Sequence, residues 1–384
     1  MPTLEEVREA VFSIDRIVLL ARWFGAVFFH TCWEVVFEDV FDAVIKFFHG
    51  VEMSKGFTAT TISLIPKMTS PTCWSEYQSI SLCNVTNKIC TKLMTIRLGR
   101  VLLKVLSLSQ SGFVPRRLFS DNVLLAQELI YSLESRRPEA NVVFKLDMAK
   151  AYDRVGWEFH FQVLRRKGFP QCWIDLVANA VSHCWFSVLV NGEHAEFFYS
   201  THGLRQEDPL SPVLFVLAAD YLMRGLDRLF AAYPMMYYQA FGWIRVSHLA
   251  YADDLMIFTT MCRWNMELLR DFLRTYERVS GQLINGMKSF FIVGRQVSSL
   301  QTQAVQYVLG YPLKHLPITY LGVPLYKGDR KVCLFDSIIS HLRDMLQDWA
   351  MTNLSPCLDS KCVAGHSVAS ASGDSPPQVS FDHH

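Results

Sequence analysis

The sequence predicts an α+β fold built around one mainly antiparallel sheet. Helical periodicity leads the chain, helix and strand signals mix in its middle, and short alternating strands with crossing helices follow. Hydrophobic residues make up 51% of the 384 and charged residues 19%, enough for a substantial core in one large domain or two to three subdomains. The clearest strand pair, Trp185–Ser200, turns at Asn191-Gly192, a dipeptide suited to the tight turn of an antiparallel hairpin.

Thr3 stands as an N-cap before "TLEEVREAVFSID", where Leu4, Val7, Val11 and Ile14 recur at helical spacing. A second helix covers Trp33–Phe48. "TTISLIPK" (Thr60–Lys67) alternates and is β-branched, a strand that Pro66 and Pro71 then break. Ser120 and Asp121 open a helix over Ser120–Arg137. "NVVFKLDMAKAYDRV" (Asn141–Val155) starts as a strand, with Asp147 at or just beyond its end, and turns toward a helix near Trp157. Leu210–Leu226 reads as a buried helix with Pro212 in its first turn, where a missing N–H is harmless. Arg245–Thr260 reads as two short strands around Ala252–Asp254. Asn265–Gln282 is amphipathic, with Leu268, Phe272, Leu273, Tyr276 and Val279 on one face. Ile318–Leu325 is a strand and turn. After about Ser355 the chain is rich in Ser, Pro and Gly and is expected to be disordered, and its Cys357–His366 segment fits no standard zinc spacing.

The net charge of +1 implies no polyanionic partner by itself. Its distribution says more: Tyr77–Ser120 holds seven bases (Lys88, Lys92, Arg97, Arg100, Lys104, Arg116, Arg117) and no acid, while Met1–Gly50 holds eight acids against four bases. Such a stretch is either a nucleic-acid track or a solvated helix face. The ten cysteines form no CxxC pair and no secretory leader is recognisable, so reduced thiols in an intracellular protein are expected. The longest apolar runs, Trp23–Trp33 and Leu229–Ile244, fall short of a bilayer span.

The chemistry-bearing feature is "HLAYADDLMIF" (His248–Phe258), with Asp253 and Asp254 side by side between apolar residues. An exposed turn is the ordinary setting for such a doublet. The apolar flanks instead make the hairpin central, and Asp147 at another strand end can converge with it. Hard divalent cations take carboxylate oxygens, and two ions about 3.5–4 Å apart can activate and stabilise the oxygens of a phosphoryl displacement.

With "FKLDMAKAYDRV" and "YADD" in hand, the surrounding segments narrow the reading. "SLIPK", "SISLCNVTNKICTKLMTIRL", "SQSGFVP", "DNVLLAQELI", "GLRQEDPLSPVLFVLAADYL", "SGQLINGMKS" and "YLGVPLYKG" resemble, in that order, the reverse transcriptase of plant non-LTR (LINE-type) retrotransposons, over roughly residues 55–350. The resemblance implies a right-hand polymerase architecture: a helical N-terminal extension (1–54), fingers (55–146), palm (147–300), primer grip and start of an incomplete thumb (301–355), and an unrelated tail (356–384). It implies that Asp147, Asp253 and Asp254 are catalytic and metal-binding, with two Mg²⁺ ions as cofactor and Mn²⁺ as the alternative. Tyr152 would lie under the incoming sugar, Gln206 beside the nucleotide and template, and Lys288 and Lys67 near the triphosphate. Leu321 and Gly322 would form the primer-grip turn. Lys88, Lys92, Arg97, Arg100, Arg116 and Arg117 would track template phosphates. Asp153 and Arg154 read as a local structural pair. The implied partners are an RNA template, a DNA primer and deoxynucleoside triphosphates. Neither a membrane nor a protein partner is implied, and the family's target-primed life points to the nucleus.

The chain departs from the family in two telling places. Glu207 stands where the family has glycine in "RQGDPLSP", and Gln78 where it has arginine in "YRPISL". A Cβ and a negative charge near a triphosphate should weaken nucleotide binding, and a lost arginine should do the same. A "PGPDGF" segment expected near residues 17–25 is replaced, and the thumb likeness fades after Leu346–Ser355, as in a truncated, decaying element copy. Three readings stand: a working RNA-directed DNA polymerase domain, an inert remnant that keeps the fold and a binding groove, and a metal-dependent nuclease using the same acids.

Overall fold

A computed structural model describes residues 1–15, 25–135, 138–182, 184–240, 245–329 and 331–358. Two units divide the chain: Met1–Leu321 with Leu325–Lys327, and Gly322–Pro324 with Gly328–His384.

The first unit begins with α1 (Leu4–Phe12). Thr3 Oγ1 accepts from the Glu6 amide at 3.2 Å and Glu6 Oε2 accepts from the Thr3 amide at 3.1 Å, a capping box that fixes where the helix starts. Val7 and Val11 are buried as expected, but Leu4 is 42% exposed and Ala10 takes its place on the inner face. Then come α2 (Ala26–Thr31), α3 (Trp33–Phe48) and α4 (Lys55–Thr58). β1 (Thr60–Pro66) pairs antiparallel with β2 (Tyr77–Leu82). Next is α5 (Val85–Val105), capped by Asn84 and buried along Ile89, Leu93, Met94, Leu98 and Leu102. Each such side chain contributes about 1.5–3 kcal/mol by leaving water, so this basic helix is first a core element.

α6 (Phe119–Tyr131) ends earlier than its periodicity predicts, because Ser132–Glu134 tightens into a 3₁₀ turn. β3 (Asn141–Leu146) is followed by α7 (Trp157–Arg166) and α8 (Gln171–Ser182). β4 (Trp185–Val190) and β5 (Glu193–His194) form the predicted hairpin, Asn191 and Gly192 supplying φ of 50° and 85°. β6 (Phe198–Tyr199) folds back on β4. α9 (Ser211–Ala232) opens with Pro212 and leads to β7 (His248–Tyr251) and β8 (Asp254–Thr260).

α10 (Arg263–Ser280) starts earlier than its hydrophobic pattern suggests and buries Met266, Leu269, Leu273 and Tyr276. Leu268 and Phe272 are only half-buried and Val279 is 46% exposed, so the inner face is rotated from the predicted one. Two contacts seat the helix. Asn265 Nδ2, fully buried, donates to Thr260 Oγ1 at 2.8 Å. Phe272 lies against Gly225 of α9, where a Cβ would come within 2.6 Å of its ring. β9 (Phe290–Val293), α11 (Ser299–Leu309) and β10 (Ile318–Tyr320) complete this unit, and β11 (Val323–Leu325) straddles the division between the two.

Two main sheets form where one was expected. The four-stranded sheet runs β7-β8-β3-β9 and is antiparallel throughout. The second runs β2-β1-β4-β5, with β6 also on β4, and is mixed because β1 lies parallel to β4. That pairing joins segments far apart in sequence, with no local signal to announce it. One hydrophobic core runs from Val7 and Trp33 through Ile89 and Leu93 to Phe144, Leu214 and Phe291. The second unit holds α12 (Asp336–Leu358). The helix thus runs past Ser355, and the rest of the expected disordered tail lies outside the described residues. No helix among them is long and apolar enough to cross a membrane.

Candidate active site

The four-stranded sheet carries acids at neighbouring strand ends. β3 ends at Leu146, so Asp147 is the next residue, and β8 pairs with β3 through Leu146 and Leu255. β7 and β8 close through Tyr251 and Asp254 with only Ala252 and Asp253 between, which puts Asp253 at the tip. A cleft of about 1180 Å³ opens over these ends. Asp147, Tyr152, Gln206, Asp253, Lys288, Lys67, Lys88 and Lys92 all line it, as do the two departures, Glu207 and Gln78. Eight residues singled out from sequence, spread from Lys67 to Lys288, therefore converge on one cavity.

Local bonds hold each element of the floor. The Asp147 amide donates to Ser289 Oγ at 3.1 Å and its carbonyl accepts from the Asn285 amide at 2.8 Å. Asn285 Oδ1 in turn accepts from the amides of Met287 (3.1 Å) and Lys288 (3.3 Å), an Asx turn that sets Lys288 on the lining of the cleft. Tyr152 lines the cleft with its ring stacked on Phe215, 5.1 Å between centroids and 19° between planes. Its phenol is held well above the usual range by burial, then by the negative charges of Asp253 and Glu207. The Tyr152 carbonyl accepts from the Leu204 amide at 2.8 Å, tying "GLRQEDP" to the floor. Gln206 Nε2 reaches Asp153 Oδ1 at 3.4 Å, a partner that the expected Asp153–Arg154 pair did not suggest. Arg205 and Asp208, both nearly fully buried, form an ion pair at 2.7 Å behind Gln206.

The acids do not all share one environment. Asp254 is paired with Lys145 of β3, Nζ to Oδ1 2.5 Å, and does not line the cleft. The Asp253 carboxyl is pushed up by burial, and further by Asp254 and Asp147. A divalent cation would relieve that repulsion, and the oxygen donors suit a hard ion, so Asp147 and Asp253 fit such a group. Among the described residues no three His, Cys, Asp or Glu side chains gather closely enough to hold a metal ion. Water and substrate phosphate are the usual further ligands of such an ion.

Glu207 is exposed to the cleft with φ +65°, a left-handed conformation that favours glycine. The basic stretch, by contrast, divides. Lys88 and Lys92 face the cleft, Lys88 almost buried in its wall. Arg97 turns to Glu6 of α1 at 2.8 Å and lies over the Phe48 ring, and Arg100 stands 4.0 Å from Glu6. Arg117 donates to the carbonyls of Ser107 and Gln110, and Arg116 is exposed. Of these six bases only Lys88 and Lys92 line the cleft, because α5 buries its apolar faces and spreads its charges around the remainder. Leu321 and Gly322 make the expected turn, with φ of 49° and 78°, and Leu321 is not among the cleft-lining residues.

Sequence reading gave no role to Gln110, Gly112, Asn122, Asn285 or Ser289. "SQSGFVP", "DNVLLAQELI" and "SGQLINGMKS" were the available signals, but only the bonds around Ala252 and Asp147 say what these residues do.

Residues 65–325 match the family of reverse transcriptases (RNA-dependent DNA polymerases). Among curated proteins the chain is similar to the Transposon TX1 uncharacterized 149 kDa protein of Xenopus laevis, 27% identical over 267 residues, covering 68% of this chain and 20% of that one. It is also similar to the Retrovirus-related Pol polyprotein from type-2 retrotransposable element R2DM of Drosophila melanogaster, 28% identical over 183 residues, 48% of this chain and 16% of that one. The chain thus spans about a fifth or less of the length of these relatives. Among solved structures it is similar to apo telomerase from Candida tropicalis, at TM-score 0.49 and 14% identity, over 80% of this chain and 54% of that one.

Proposed function

The chain belongs to the reverse transcriptase (RNA-dependent DNA polymerase) family, and from that premise we propose that it is the polymerase domain of a non-LTR retroelement, extending a primer 3′-OH with deoxynucleotides on an RNA template. One observation carries the reading: Asp147, Asp253, Tyr152, Gln206, Lys288 and Lys67 line a single cleft.

Asp147 and Asp253 would hold Mg²⁺ or Mn²⁺, which when bound supplies Lewis-acid stabilisation of the charge on the transferring phosphoryl group. The chain's own residues do the rest. Lys67, Lys88, Lys92 and Lys288 offer positive charge to the triphosphate and to template phosphates from the walls. Tyr152, stiffened by Phe215, presents a flat ring under the sugar and would crowd a 2′-OH. Gln206, braced through Asp153 and backed by the buried Arg205–Asp208 pair, orients the nucleotide and its template partner. In right-hand terms, 55–146 form fingers, 147–300 the palm, and 301–355 the primer grip and start of a thumb, with Leu321 and Gly322 at the grip's turn.

A second reading has its own support. Glu207 adds a negative charge to the cleft on a backbone that favours glycine, and Gln78 adds no positive one. A copy so altered would keep the groove and bind nucleic acid without turning over. Primer extension on an RNA template with Mg²⁺ separates the readings. Extension that Asp253→Asn abolishes is the expected result. Salt-sensitive RNA binding without extension favours the inert copy. Strand cleavage without nucleotides would make the protein a nuclease and sink the proposal.

A further inference from the structure

The geometry assigns to Gln110 the role of positioning residue for Asp253, an assignment that rests on the polymerase reading above. Gln110 is fully buried and is not one of the cleft-lining residues. Its Oε1 accepts from the Ala252 amide at 3.0 Å and the Gly112 amide at 2.8 Å, and its Nε2 donates to the Ala252 carbonyl at 3.3 Å. Both main-chain polar groups of Ala252 are thus engaged by one side chain. Ala252 needs that hold, because its φ of +53° lies in the left-handed region, which an L-residue adopts only under constraint. Any relaxation of Ala252 toward ordinary backbone angles would swing the next residue, Asp253.

Gly112 closes the clamp from the other side, since a Cβ there would lie 2.3 Å from the Ala252 nitrogen. The clamp is itself anchored. The Ser111 amide donates to the Ala250 carbonyl and the Ala250 amide to the Ser109 carbonyl, both at 2.9 Å. Asn122 Nδ2 donates to the Ala250 carbonyl at 3.0 Å, and its Oδ1 accepts from Ser111 Oγ at 3.0 Å. Arg117 holds the loop through the carbonyls of Ser107 and Gln110. Asp253 is thereby fixed by residues that touch neither substrate nor ion. Removing a partner that orients a metal ligand typically lowers metal affinity or activity about 10–100-fold.

Two readouts on the full chain test this with Gln110→Ala, Gln110→Glu and Gly112→Ala. The first is amide hydrogen exchange, which needs no metal. Exchange at Ala252 should rise about tenfold or more in Gln110→Ala and Gly112→Ala while β3 keeps its protection, as expected when local opening is favoured over global opening. Gln110→Glu keeps both acceptor contacts but sets a buried carboxylate oxygen against the Ala252 carbonyl, so exchange at Ala252 should rise here too. The second is Mn²⁺ binding by electron paramagnetic resonance, expected to weaken about tenfold in the two alanine variants and to be lost in Asp253→Asn. In primer extension the same variants should lower kcat and leave the nucleotide KM nearly unchanged, because Gln110 is not in contact with the cleft. Unchanged exchange at Ala252 in a cooperatively folded Gln110→Ala overturns the assignment, whatever the metal does. If Gln110→Ala does not fold, Gly112→Ala decides by the same measure. A wild-type chain that binds no Mn²⁺ overturns the polymerase reading instead, and exchange still settles the clamp.

Discussion

At the scale of single residues, Glu207 separates what a sequence says from what a backbone requires. The substitution itself is plain in "RQEDP", and its charge predicts weaker nucleotide binding. Its φ of +65° adds a second effect that residue identity cannot show. Glu207→Gly should therefore raise stability by about 0.5–1 kcal/mol, since relief of left-handed strain outweighs glycine's extra chain entropy. It should also tighten binding of a nucleoside triphosphate. Urea unfolding and a binding titration check both, and a variant no more stable and no tighter-binding removes Glu207 from the account. The acids show the same limit. Asp147 and Asp253 were legible as strand-end carboxylates, but the Lys145 that pairs with Asp254 was not, because register and not sequence distance brings β3 alongside β8.

At the scale of elements, α5 shows why charge counts mislead. Its bases read as one track, yet a helix buried on most faces must point its charges wherever room is left. Lys92 points into the cleft while Arg97 and Arg100 serve the N-terminal helix. Lys92→Ala should weaken RNA binding and reduce the salt dependence by about one charge, whereas Arg100→Ala should change neither. Binding titrations over a series of salt concentrations test it, and equal effects of the two variants would restore the single track. Strands and amphipathic helices were mostly legible from periodicity and turn chemistry. The seating of α10 was less so, because a buried Asn265 and a close approach to a glycine on another helix take part in it.

At the scale of the molecule, the helices of the N-terminal extension share the first unit's core, through Val7, Trp33 and Phe47. Composition predicted a large core, but its reach from Val7 to Phe291 depends on contacts between distant segments. The same core buries titratable groups. Burial holds His160 and His248 neutral, each pushed down to about 4 from an ordinary 6.5. Above the unfolded value neither state binds the proton, so the pH-linked contribution vanishes. As pH falls below it, the unfolded chain takes up protons that the folded one refuses. Stability should drop by up to about 1.4 kcal/mol per pH unit for each histidine, until the folded value is passed. His160→Phe should flatten that slope in urea titrations between about pH 4 and pH 7; an unchanged slope would mean that His160 is protonated in the fold.

The Lys145–Asp254 pair reaches beyond the cleft. One ammonium on the strand that leads to Asp147 already balances half of the hairpin's doublet. Asp254 is therefore compensated by the sheet's own ammonium wherever β3 and β8 pair. The charge balance comes from within the fold, so the central sheet needs no bound cation to bring these strands into register.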